Sequence, residues 1–167
     1  MSVRVATVVL AVVAALLETS VAPYLSISGV TPDLVLICAV VLAVSIGVEE
    51  GFLAAFVGGL VLDILTAPVR PLGATTLSLL IAVGIGVALI RFIGRGRVHT
   101  TLILVFGLTF ALHAILAAIL VLTTGARVTV DPIGSILPTA IVNTAISLPF
   151  ALLGRWAWFR WGERAEW

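Results

Sequence analysis

The sequence predicts an all-α integral membrane protein: a six-helix transmembrane bundle with short second and third helices and an interfacial C-terminal tail. Three observations point there. Between Arg4 and Arg155 the chain is made of six stretches nearly free of charge, each long enough or nearly long enough to cross a bilayer. Hydrophobic residues make up 62% and charged residues 10%, a balance that lipid tolerates and a water-soluble domain of this size does not carry. The basic residues are also shared unequally between alternate connections.

Taken in order, the spans are expected at about 3–22, 32–48, 51–67, 72–90, 100–122 and 132–154, with 155–167 as an Arg/Trp tail. The first runs from about Val3 to Val21, with Pro23 closing it. A secretory signal is the alternative, because Ser20-Val21-Ala22 resembles a small-residue cleavage site, but Pro23 would then follow the cut. In the middle, Leu34 to Val48 and Gly51 to Leu62 are split by Glu49-Glu50. Each falls short of the roughly 20 residues that a 30 Å hydrocarbon core requires, and together they are too long for one crossing. They form either two short helices turning at Glu49-Glu50 or a re-entrant hairpin buried in protein, the only setting that permits a turn at lipid depth. Two helices are preferred. The fourth span is uncharged, the fifth is interrupted only by His113 and the sixth only by Asn143.

Six crossings gather Arg4, Arg91, Arg95, Arg97, Arg155, Arg160 and Arg164 on one side and leave Arg70 and Arg127 on the other, so both termini are expected to be cytoplasmic. Trp156, Trp158, Trp161 and Trp167 are interleaved with arginines in the tail, a mixture suited to the headgroup layer.

Packing and polar signals are few. Gly51, Ala55, Gly59 and Asp63 recur every four residues along one face of the third span, widened by Ala54 and Gly58. Small side chains at this spacing let helices approach closely in lipid, either inside the bundle or against a partner helix. Ionisable groups at membrane depth are costly, so Glu18, Asp33, Asp63 and His113 each need a role. Asp33 follows Thr31-Pro32 and is expected to cap the second helix. Asp63 lies near the end of its helix, where the dipole disfavours an anion, and Arg70 is the nearest partner in sequence. Glu18 is expected to reach the interface. His113 reads as a hydrogen-bonded interior histidine, since no His or Cys stands three or four residues away to complete a metal site, and Asn143 as a cross-helix link. A proton relay through His113 and Asp63 has no further carboxylates to continue it. Cys38 stands alone, which excludes a disulfide framework. No phosphate loop or His-Glu-x-x-His pair is present, and neither Ser78 nor Ser147 sits in a nucleophile elbow. No cofactor, metal, nucleic acid or enzymatic activity is therefore expected.

Thr31-Pro32-Asp33-Leu34, then Glu50-Gly51, Gly58-Gly59, Leu62-Asp63-Ile64-Leu65 and Pro71-Leu72-Gly73 together resemble the MreD family of bacterial rod-shape-determining membrane proteins. The matched stretch runs from about Thr31 to Gly86, and Thr66-Ala67-Pro68-Val69-Arg70 departs from the family's Gly- and Ser-rich turn. The resemblance implies a non-enzymatic inner-membrane component of the cell-elongation and peptidoglycan-synthesis machinery. It further implies an MreC-like single-span partner, work beside cell-wall synthases and an MreB-like filament, and a fold similar to the substrate-binding subunit of energy-coupling-factor vitamin transporters. On this reading the partner's helix would lodge against Gly51, Ala55, Gly58, Gly59 and Asp63, with Asp33 nearby; homo-oligomerisation is left open. A vitamin-binding transport subunit is the alternative. It would need a cavity near the outer leaflet, where the sequence offers Tyr24, Asp33, Asp131 and Arg127 but no Trp.

Overall fold

The computed structural model describes residues 3–22, 24, 30–67, 71–94, 97–125 and 132–161, except for the side chains of 132–133 and 156–161. Among the described residues, six helices follow one another: α1 (Val3–Ser20), α2 (Leu34–Ser45), α3 (Val48–Leu65), α4 (Ala74–Ile93), α5 (Val98–Thr124) and α6 (Leu137–Trp161), the last entered through one π-helical turn, Pro132–Ile136. Val3–Ser20, Ala74–Ile93, Val98–Thr124 and Gly134–Arg155 are each long and apolar enough to cross a bilayer, so the protein is a multi-pass, membrane-embedded all-α bundle.

The chain centres on α2. Its residues from Val35 to Ser45 are buried with the one exception of Cys38, and it packs against each of the other five helices. Twelve residues make a helix of about 18 Å, too short for the hydrocarbon layer. An apolar helix of this length and no polar face suits a post enclosed by protein. By contrast, α1 buries only Thr7, Ala11 and Ala15, all small, and turns Val9, Leu10, Val13, Leu16 and Leu17 outward.

Lipid solvates apolar side chains as well as a protein interior does, so close backbone approach and dispersion must hold such helices together. The third span supplies it. A Cβ built on Gly51 would lie 2.5 Å from the Cβ of Ala43 on α2, and one on Gly58 would lie 2.5 Å from Val35. On the α4 side, a Cβ on Gly59 would stand 2.7 Å from the Cα of Thr76. The stripe thus wedges α3 between α2 and α4, with Ala54 and Ala55 fully buried beside it.

Two boundaries differ from the sequence expectation. The reversal between α2 and α3 falls at Ile46-Gly47, and Glu49 and Glu50 already occupy the first turn of α3, where carboxylates favour the helix dipole. The C-terminal tail is not a separate element at its start, because α6 continues without a break through Arg155 to Trp161; residues 162–167 lie outside the described residues.

Candidate functional site: a polar chamber at one end of the bundle

One end of the bundle carries Arg4, Glu49 and the carboxyl end of α2; the opposite end, termed here the carboxylate end, carries the starts of α2, α4 and α6. Glu18, Asp33 and Asp63 lie at the latter, and the half-buried Glu50 at the former.

Asp63 is completely buried near the end of α3, where the dipole of its own helix opposes it. The start of α4 compensates. Its Oδ1 accepts the amide of Thr75 at 2.9 Å, and its Oδ2 accepts the amides of Gly73 at 3.1 Å and Thr76 at 2.9 Å together with the Thr76 hydroxyl at 2.5 Å. Amides that a helix leaves without intrahelical partners are thereby satisfied by a carboxylate from the preceding helix. Gly73 makes the approach possible: it adopts φ +90°, a left-handed conformation that side chains other than glycine resist. The partner of Asp63 is therefore the α4 terminus; Arg70, the partner expected from sequence, lies outside the described residues.

Neither Glu18 nor Asp33 takes the role expected of it from sequence. Asp33 occupies the N-cap position of α2 but makes no side-chain capping bond; the Val35 amide instead donates to Glu18 Oε2 at 2.8 Å. Glu18 thus turns inward to cap a neighbouring helix. Asp33 is released to join α6: its amide donates to Asn143 Oδ1 at 2.9 Å, and Asn143 Nδ2 donates to Asp33 Oδ2 at 2.8 Å. Asn143 is fully buried and also donates to the Thr109 hydroxyl of α5 at 3.1 Å. One amide therefore ties α2, α5 and α6 together, the cross-helix link expected of it.

His113, one turn beyond Thr109, is half-buried. Its Nδ1 donates to the Thr109 carbonyl at 2.9 Å and lies 4.0 Å from Asp33 Oδ2. The hydrogen-bond partners of Asp63 are all on α4 and the turn before it, so His113 and Asp63 belong to separate clusters. Ser78 and Ser147 donate to carbonyls of their own helices, of Ala74 and Thr144 respectively.

Of these groups, Glu18, Asp33, His113 and Thr75 line a chamber of about 470 Å³. Thr66 also lines it, and the buried Leu36, Leu79 and Leu112 contribute apolar surface. The volume lies within the range of small-molecule sites, and the lining mixes apolar surface with a few polar groups in the usual way. Among the described residues, no cluster of three or more His, Cys, Asp or Glu side chains is placed to hold a metal. Asp131 and Arg127 lie outside the described residues; Tyr24 is 90% exposed and does not line the chamber.

Of the residues expected to receive a partner helix, Gly51, Ala55, Gly58, Gly59 and Asp63 are all buried by the chain's own helices. No open groove runs along that stripe. The sequence reading overlooked Thr109, Thr75 and Thr76. A signal existed for the first: Thr109 and His113 stand four residues apart, on one helical face.

Comparison of the chain with protein-family models, with curated proteins and with solved structures returned no match.

Proposed function

We propose that this protein is a non-enzymatic scaffold of the bacterial inner membrane, MreD-like in role, that binds the transmembrane helix of an MreC-like partner and helps position cell-wall synthases for elongation. The resemblance between Thr31 and Gly86 supports the reading. So does the use its acidic residues find: Asp33 and Asp63 join helix ends, as structural residues do. The arginine distribution supports cytoplasmic termini.

Since the α3 stripe is filled from within, the partner helix needs another face, and Gly107 carries that part of the proposal. Gly51, Gly58, Gly59, Gly84, Gly86 and Gly154 each face atoms of a neighbouring helix, whereas a Cβ at Gly107 would meet nothing within 4 Å. In the same row of α5 stand Ala111, Ala114 and Ala118, three or four residues apart, and Gly107, Ala114 and Ala118 are exposed. A flat, small-residue surface facing lipid lets a second helix approach closely. The Gly107→Leu variant should lose co-purification with the MreC-like protein in mild detergent while its thermal unfolding stays that of the parent. Retained co-purification in both Gly107→Leu and Ala114→Leu would remove this face from the docking model.

The chamber favours a second reading, the substrate-binding subunit of a vitamin transporter. Mass spectrometry of small molecules retained through purification separates the two, since a stoichiometric vitamin supports transport.

A further inference from the structure

The arginine side chains that the structure describes are not all in the same situation. Arg4 pairs with Glu49 at 3.0 Å, and Arg155 is likewise engaged. Arg91 and Arg97 are exposed, and neither side chain has a hydrogen bond or ion pair among the described residues. These two belong to one rim. Arg91 lies in the last turn of α4, Arg97 is the N-cap residue of α5, and the two helices pack side by side. The turn between them is fastened where it leaves α4 and where it enters α5: the Gly94 amide donates to the Ile90 carbonyl at 2.9 Å, and the Thr100 hydroxyl donates to the Gly94 carbonyl at 3.0 Å. Arg95 lies outside the described residues.

That rim stands at headgroup depth. The 20 residues of α4 measure about 30 Å, the thickness of the hydrocarbon core, so its last turn sits where hydrocarbon gives way to phosphate. Below it runs an apolar track. Ile81, Ile85, Leu89 and Phe92 follow one another at three- or four-residue spacing on one face of α4, all of them exposed, Phe92 by 87%. The row ends beside Arg91. A pair of unengaged cations at the head of such a track is complementary to a molecule with an anionic head and a hydrocarbon tail, and a soluble anion would leave the track unused. Guanidinium groups hold phosphate oxygens through paired N–H donors, and the attraction is stronger at the edge of the hydrocarbon than in bulk water.

We propose that the α4–α5 turn holds one anionic phospholipid, its phosphate on Arg91 and Arg97 and an acyl chain along the row from Phe92 to Ile81. The site is independent of whether the protein gathers partners or carries cargo.

Native mass spectrometry of the full-length protein, released from neutral-detergent micelles and titrated with phosphatidylglycerol or with phosphatidylcholine of the same acyl chains, tests the proposal. One phosphatidylglycerol is expected to bind more tightly than any phosphatidylcholine. Arg91→Gln and Arg97→Gln break no described side-chain bond, so both should unfold at the parent's temperature, and each should weaken phosphatidylglycerol binding about fivefold, the worth of one cation beside an anionic lipid surface. Arg4→Gln removes the same charge from the same end of the bundle, at a residue already paired, and should leave that binding unchanged. Equal affinity for the two lipids, unchanged binding in Arg91→Gln or in Arg97→Gln, or a loss in Arg4→Gln as large as theirs would overturn the proposal. So would displacement of the lipid by equimolar glycerol phosphate or polyglutamate, which would identify a soluble phosphate or an acidic protein segment as the occupant.

Discussion

The two ends of this bundle are held together differently. Toward the Arg4 end, helices close on one another through residues with almost no side chain: Gly51 on Ala43, Gly86 on Leu108, and Gly154 against Ser45 and Val41 of α2. The gap that remains among Val40, Ala43, Val83, Gly86, Leu104 and Leu108 leaves no room for a water molecule. At the carboxylate end α3 still closes on α2 through Gly58 against Val35 and on α4 through Gly59 against Thr76, but beside them the helices part around a chamber of about 470 Å³, and polar side chains hold them in register. There, Asp63 joins α3 to α4, Glu18 joins α1 to α2, and Asn143 joins α6 to α2 and α5. Small residues fix distance; carboxylates and amides fix direction. The difference teaches that one bundle can be dry and tightly packed at one depth and open at another without a change of fold.

The comparison can be broken most forcefully at the dry end. In Gly51→Leu the added side chain meets the Ala43 methyl and the backbone of Ala39 and Ala43, none of which is a flexible side-chain tip. A loss of about 3 kcal/mol is expected, read as a shift in the denaturant midpoint in micelles. Parent-like stability would show that the dry end can yield. At the carboxylate end the loss should come from polar deletion: Asp63→Ala leaves three amides and a hydroxyl at the α4 start without their acceptor and should cost about 2 kcal/mol by the same titration. Glu18→Ala removes the cap on α2 and should cost about 1 kcal/mol, so the order of the two variants is itself a check. The smallest effect belongs to the ion pair between Arg4 and Glu49, 3.0 Å apart with both side chains mostly exposed. Arg4→Ala should change stability by less than about 0.5 kcal/mol, and raised salt should erase the difference.

The spans were legible because hydropathy reports on the solvent around a helix, and α1, α4, α5 and α6 sit where their apolar runs place them. The α3 stripe was legible too, since four-residue spacing is a property of one helix, but whether it faces inside or outside depends on its neighbours. The polar site was legible only as a list of residues. Glu18 and Asp33 are fifteen positions apart in the chain, and which of them caps α2 is decided by how α1 leans on it. The satisfaction of Asp63 by the start of α4 likewise depends on a left-handed Gly73, a geometry set by the turn and not by hydropathy.

The shortness of α2 has a consequence for the shape of the molecule. A central post of about 18 Å inside walls built for about 30 Å cannot reach both rims, so where it stops the bundle becomes a cup whose floor is the top of that post. The depth of the cup is then a matter of chain length, and one added turn at the start of α2 would fill what no single side-chain replacement can.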